Sequence, residues 1–262
     1  MKSITADNMD FGDRRESALS KVPELTFVFW MIKIAATTLG ETAGDAVSMS
    51  MNLGYLVGTA IFATIFLAAV FVQIKARSFH PFIYWTTIIA TTTVGTTMAD
   101  FADRSLGIGY AGGSSLLLVL LLASLAVWHR TLGTVSVQSV STPKVELFYW
   151  VTIMFSQTLG TALGDWTADS AGMGYGGSAI LFCALLALIV GLYFWTNISR
   201  TLLFWAAFIL TRPLGAVVGD FLDKPRDHGG LEMSRYSASA ALLIFIVACT
   251  LIFPNRAGKT AH

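Results

Sequence analysis

Four aspartates recur at fixed places in the chain: Asp45, Asp100, Asp165 and Asp220. Each stands fifteen residues after a tryptophan (Trp30, Trp85, Trp150, Trp205) and five after a glycine (Gly40, Gly95, Gly160, Gly215). The intervening stretches, GETAGD, GTTMAD, GTALGD and GAVVGD, are rich in small and hydroxyl side chains. A carboxylate in such apolar company needs a partner, because an intramembrane acid costs at least about 2.5–3.5 kcal/mol on the insertion scale. Carboxylates, threonine hydroxyls and backbone carbonyls together make an oxygen-rich set. Such ligands suit hard ions such as Mg²⁺, Ca²⁺ or Mn²⁺ rather than thiophilic ones. The same carboxylates are fit to relay protons. The four aspartates are therefore the candidate metal ligands and, with Glu41, the candidate cation pathway.

The repeat is broken in three informative places. Only the first copy has an acid four residues before its aspartate, Glu41; Thr96, Thr161 and Ala216 hold the equivalent positions. The i, i+4 spacing puts Glu41 and Asp45 on one helix face. Only the fourth copy has an arginine eight before its aspartate, Arg212, where the others have Thr37, Thr92 and Gln157. Arg212 lies too deep to reach water easily and is expected to pair with Glu41. Pro213 follows it and is expected to kink its helix. Lys33, three residues past Trp30, is expected to snorkel to the headgroups. Otherwise it is a second cation in the path or a counter-charge for Glu41. Thr96 and Thr161 support the acidic layer.

The elements that place these residues are apolar runs. The chain has 262 residues, 55% hydrophobic and only 13% charged, about half the charged fraction of a soluble domain. Eight runs of the length needed to cross a bilayer occur near 25–45, 54–74, 81–101, 110–129, 145–166, 174–195, 201–221 and 235–253. The reading is all-α: a polytopic membrane protein of eight transmembrane helices. Residues 1–24 form a polar tail without the apolar region of a cleaved signal peptide. Residues 25–254 form one transmembrane domain and 255–262 a second short tail. Lysine and arginine number eleven on the side of both termini against four on the other, which places the termini in the cytoplasm of a bacterial inner membrane.

The spacing also defines four tandem units, near 25–76, 80–130, 145–196 and 200–254, with a linker at 130–144 dividing the halves. An aromatic residue precedes each tryptophan (Phe29, Tyr84, Tyr149, Phe204). A glycine stands nine after each aspartate (Gly54, Gly109, Gly174, Gly229), followed by tyrosine in three copies. Two spans per unit make the repeats parallel, with pseudo-fourfold or nested twofold packing. If each tryptophan marks the cytoplasmic interface, each aspartate lies about 22 Å further along, beneath the outer surface of a core about 30 Å thick. The sequence resembles a bacterial family of integral membrane proteins of unknown function, built from four two-helix repeats with a recurrent tryptophan. That resemblance supports the fold and carries no activity with it.

Several function classes drop out. No basic stripe exists to track phosphates, so nucleic acid is not an expected partner. No GxSxG, HExxH or paired-histidine pattern implies an enzyme, and with no nucleotide motif any pumping would be driven by a gradient. Cys183 and Cys249 sit in apolar runs and read as small hydrophobes. No organic cofactor is expected; the only bound group provided for is a divalent cation. The partners are the lipid bilayer and a transported cation, with the oligomeric state left open. The second acidic set (Asp103, Asp169, Asp223, Asp227, Glu232) reads as solvated loop or as an outer vestibule that concentrates cations. The expected function is a transporter or channel for a hard cation. The alternative is a non-transporting scaffold or partner subunit whose Asp/Thr/Gly layer serves packing.

Overall fold

The computed structural model describes residues 19–259. Eight α-helices account for most of them: α1 (Phe27–Asp45), α2 (Gly54–Lys75), α3 (Pro81–Asp100), α4 (Tyr110–Leu132), α5 (Pro143–Asp165), α6 (Gly174–Trp195), α7 (Arg200–Asp223) and α8 (Arg235–Ile252). Local chemistry sets the ends. Thr26 caps α1 by accepting from the Phe29 amide at 3.2 Å. Pro81 and Pro143 open α3 and α5, where a missing N–H costs nothing. After α1, α3 and α5 the chain runs on as a π-helical turn. The glycines nine residues past the aspartates lie in the links that follow or at the start of the next helix and take positive φ: 76° at Gly54, 73° at Gly109, 64° at Gly174 and 85° at Gly229. A side chain resists that conformation, which accounts for the repeated glycine.

The odd helices form the inside. Helix α1 packs on α3, α3 on α5, α5 on α7, and α7 back on α1, closing a four-helix ring. Each even helix lies outside, against the inner helix of the following repeat: α2 on α3, α4 on α5, α6 on α7, and α8 round onto α1. No unit therefore stands alone; each lends its outer helix to its neighbour. The inner helices carry the Gly/Ala/Thr stretches and bury them. The outer helices present Leu, Ile, Val and Phe to the surroundings, among them Leu67, Phe71, Val119, Ile180, Phe194 and Ile244.

Helices α2, α4, α6, α7 and α8 are long and apolar enough to cross a membrane. Together with the exposed apolar belt, these are the marks of a membrane protein. Helices α1, α3 and α5 fall short of that measure among the described residues, because threonine, glycine and acids replace aliphatic side chains. Their polar groups face neighbours in the ring. The buried hydroxyls of Thr91, Thr93 and Thr97 turn back onto carbonyls of their own helix, Ile88, Ile89 and Thr93.

The tails depart from expectation. Residues 1–18 of the polar segment lie outside the described residues, but Leu19–Pro23 is a β-strand (β1) paired antiparallel with Ala257–Lys259 (β2). Ser20, Lys21 and Val22 are buried. The Lys21 amide donates to the Val140 carbonyl at 2.7 Å, and its ammonium meets Glu146 Oε1 at 2.6 Å. The described part of the polar tail is thus held against the central linker and the start of α5. That linker is itself structured, with α4 running to Leu132 and a 3₁₀ turn at Val137–Ser139.

Candidate functional site

The repeated glycines are where the ring closes. A Cβ on Gly40 would lie 2.0 Å from Thr92 Oγ1, and one on Gly160 would lie 2.2 Å from Arg212 Cγ. Gly95 meets the Gln157 backbone at 3.0 Å and Gly215 meets Thr37 Oγ1 at 2.1 Å on the same measure. Every motif glycine thus receives the residue eight before the aspartate of the next repeat, and the fourth receives that of the first. Thr92 Oγ1 and Thr37 Oγ1 also donate across these contacts, to the Ala36 carbonyl at 3.1 Å and the Thr211 carbonyl at 3.2 Å.

Within this ring Arg212 is fully buried and reaches three other repeats. Its guanidinium donates to Glu41 Oε2 at 3.0 Å, to Thr96 Oγ1 at 2.6 Å and to Thr161 Oγ1. The expected Arg212–Glu41 pair is present, and Thr96 and Thr161 are its supports. Helix α7 runs without interruption through Pro213, whose ring Cδ packs toward Gly160. The ring centre at this level is filled by the arginine.

Lys33 does not snorkel. Its side chain is fully buried, with Nζ 4.1 Å from the Phe208 ring centroid and no hydrogen-bond partner among the described residues. The equivalent positions, Ile88, Ile153 and Phe208, are equally buried. Lys33 therefore belongs to the layer between Arg212 and the aromatic end, and its path to the headgroups is closed by packing. Three of the four repeat tryptophans do not face headgroups either, while Trp30 is half-buried. Trp85, Trp150 and Trp205 are buried, each against the aromatic residue that precedes the tryptophan of the previous repeat: Phe29–Trp85, Tyr84–Trp150 and Tyr149–Trp205, with Phe204–Trp30 completing the cycle. The Tyr84 and Tyr149 hydroxyls meet at 2.7 Å.

At the other end of the inner helices the four aspartates come together, each no more than 3% exposed. Two cations bridge them. Arg104 reaches Asp100 Oδ1 at 3.1 Å and Asp165 Oδ2 at 3.2 Å. Lys224 reaches Asp45 Oδ2 at 2.5 Å and Asp220 Oδ1 at 3.1 Å. Burial opposes the charge on Lys224, but Asp220, Asp45 and Asp223 outweigh it and hold its pKa above the usual lysine range. Arg104 is held charged in the same way by Asp100 and Asp165. Both cations stand four residues past an aspartate, in the second and fourth repeats only, so the pattern here is twofold. That i, i+4 spacing was the signal available in the sequence.

The arrangement has the geometry for a metal. Glu41, Asp45 and Asp100 each offer an oxygen within 4.8 Å of the others, and so do Asp45, Asp220 and Asp223. The outer acids divide. Asp223 joins the layer and meets Arg235 Nε at 3.0 Å, and Asp103 is buried with its Oδ1 at Gly113. Asp227 and Glu232 are exposed and lie beside His228 and Arg226. Of the five, only Asp169 lines the cavity above the layer, together with Arg104, Lys224, Arg235, Tyr110 and Tyr175. The mouth is thus ringed by cations and tyrosines rather than by free acids.

The family described as Repeat of Unknown Function (DUF347) matches residues 28–79, 83–134, 148–199 and 203–253. No curated protein and no solved structure matches the chain. Since the four matches cover most of its length, the chain belongs to this family of tandem repeats.

Proposed function

We propose that this member of the repeat family is an inner-membrane transporter or channel for a hard cation, with the buried acidic layer as its ion site. One observation carries the reading. Four carboxylates, one from each repeat, are buried at one end of a closed helix ring, where Arg104 and Lys224 each bridge two of them and Arg235 lies 3.8 Å from Asp45. Burying four acids is costly unless their charge has a use, and intramembrane acids generally mark ion or proton paths. In this reading all eight helices cross the bilayer. The four units enter in the same direction, both termini are cytoplasmic, and the acidic layer opens outward. Arg212 closes the ring below the layer, so passage requires it to leave Glu41; the pair is then the gate.

A second reading draws on the same arginine. Arg212 satisfies Glu41, Thr96 and Thr161 at once, as a scaffold held by a polar core would require. Flux separates the two. The purified chain in liposomes is challenged with Mg²⁺, Ca²⁺, Mn²⁺, Na⁺ and K⁺, with and without a pH gradient. Uptake of one ion above empty liposomes supports transport. No uptake of any ion leaves the scaffold.

A further inference from the structure

The residues four past each aspartate are Met49, Arg104, Asp169 and Lys224, and all four line a cavity of about 540 Å³ above the acidic layer. The two cations among them are held differently. Arg104 is gripped from four sides, by Asp100 and Asp165 and by the hydroxyls of Tyr55 at 3.1 Å and Tyr110 at 3.2 Å. Lys224 has its two aspartates and, among the described residues, no hydrogen bond to a tyrosine. The fourth repeat has Gly230 where the others have tyrosine, and a Cβ there would lie 2.0 Å from the carbonyl oxygen of Lys224. The loop backbone has taken the place of the ring.

The Lys224 half also has one acid more. Asp223 shares the 4.8 Å cluster with Asp45 and Asp220. Its counterpart in the other half, Asp103, turns to Gly113 on α4 instead. Asp45 and Asp223 are each at least nine-tenths buried, and each has an Oδ1 with no hydrogen-bond partner among the described residues. Unsatisfied buried oxygens are costly. Among the described residues three carboxylates face two cations, Lys224 and Arg235, so with all three acids ionised one negative charge has no counter-charge. Exchanging the ammonium for a divalent ion would bring the cluster to neutrality and give the free oxygens a ligand.

We propose that Asp45, Asp220 and Asp223 form a hard divalent-cation site, which the Lys224 ammonium fills in this structure and leaves for the cavity above when the ion binds. The proposal deepens the reading of the acidic layer as an ion site, but it concerns binding rather than flux.

Mn²⁺ alone serves as probe, with the full chain purified in detergent. Acylation of Lys224 in the unaltered protein, followed by mass spectrometry, is expected to rise at least fivefold with MnCl₂ and to fall back with a chelator. Bound Mn²⁺, followed by electron paramagnetic resonance, is expected to tighten at least tenfold in Lys224→Met and to weaken at least tenfold in Asp223→Asn. Lys224 labelling that ignores Mn²⁺ overturns the proposal, as does Mn²⁺ affinity indifferent to both substitutions. Binding that behaves as expected without flux leaves the site standing and removes transport. Flux without any Lys224 response does the reverse.

Discussion

Arg212 and Glu41 meet at 3.0 Å although 171 residues separate them. One comes from the fourth repeat and one from the first, so their contact lies where the ring of repeats closes on itself. Both are buried, and the guanidinium also holds Thr96 and Thr161. Removing one partner of a buried pair leaves the other uncompensated, at about 3–5 kcal/mol. Arg212→Met and Glu41→Leu are each expected to lower the melting temperature sharply, and the double variant to recover most of the loss. A double variant as damaged as the sum of the two would contradict the pairing.

The glycine contacts predict a graded result. Gly160→Ala and Gly215→Ala place a methyl 2.2 Å from Arg212 Cγ and 2.1 Å from Thr37 Oγ1. Overpacking of this kind costs about 1–3 kcal/mol. Gly176→Ala, with nothing within 4 Å, is expected to be neutral or slightly stabilising. Thermal melts of the three variants check the order, and equal effects at Gly176 and Gly160 would remove the packing role of the motif glycine.

Asp103 gives a pH dependence. Burial, opposed by Arg104, pushes its carboxyl from the ordinary 3.8 up to about 6. The folded chain therefore holds a proton that the unfolded chain has lost between these values. The stability this contributes is full below about pH 4 and is lost as pH rises through about 6. Asp103→Asn is expected to raise the melting temperature by a few degrees relative to the unaltered protein at pH 7, with the difference vanishing at pH 4. The same difference at both pH values would sink this account.

The clasp between the termini is testable through Lys21. Its ammonium meets Glu146 at 2.6 Å and also donates to the Ile74 carbonyl at 3.2 Å. Lys21→Met leaves Glu146 buried and alone, and is expected to destabilise by about 3–5 kcal/mol. Lys21→Met/Glu146→Leu is expected to restore most of that. No loss in the single variant would show that the strand contributes nothing to the folded ring.

Much of the fold was legible because its constraints are local and repeated. Apolar runs set the helices, and the spacing of tryptophan, glycine and aspartate set the units. The depth of Arg212 pointed to Glu41 through charge alone. What the sequence left open depended on neighbours far along the chain. Lys33 reads as a snorkelling residue until Ile88, Ile153 and Phe208, from the other three repeats, are seen to enclose its layer. The tryptophans read as an interface belt until each is found against an aromatic residue of the adjoining repeat. Arg104 and Lys224 counted as loop charges, although their i, i+4 spacing from Asp100 and Asp220 already held the bridge. That each also reaches the aspartate of the following repeat follows only from ring closure, which no single unit encodes.

The central claim is that the aspartate layer is an ion path, and one comparison tests it most directly. Cation uptake is measured in proteoliposomes for the unaltered chain and for Asp100→Asn/Asp165→Asn, with the melting temperature of both recorded. The account predicts uptake of a hard cation that is lost in the double variant while the fold survives. Uptake unchanged by the two substitutions, or no uptake of any cation by the unaltered chain, would contradict it.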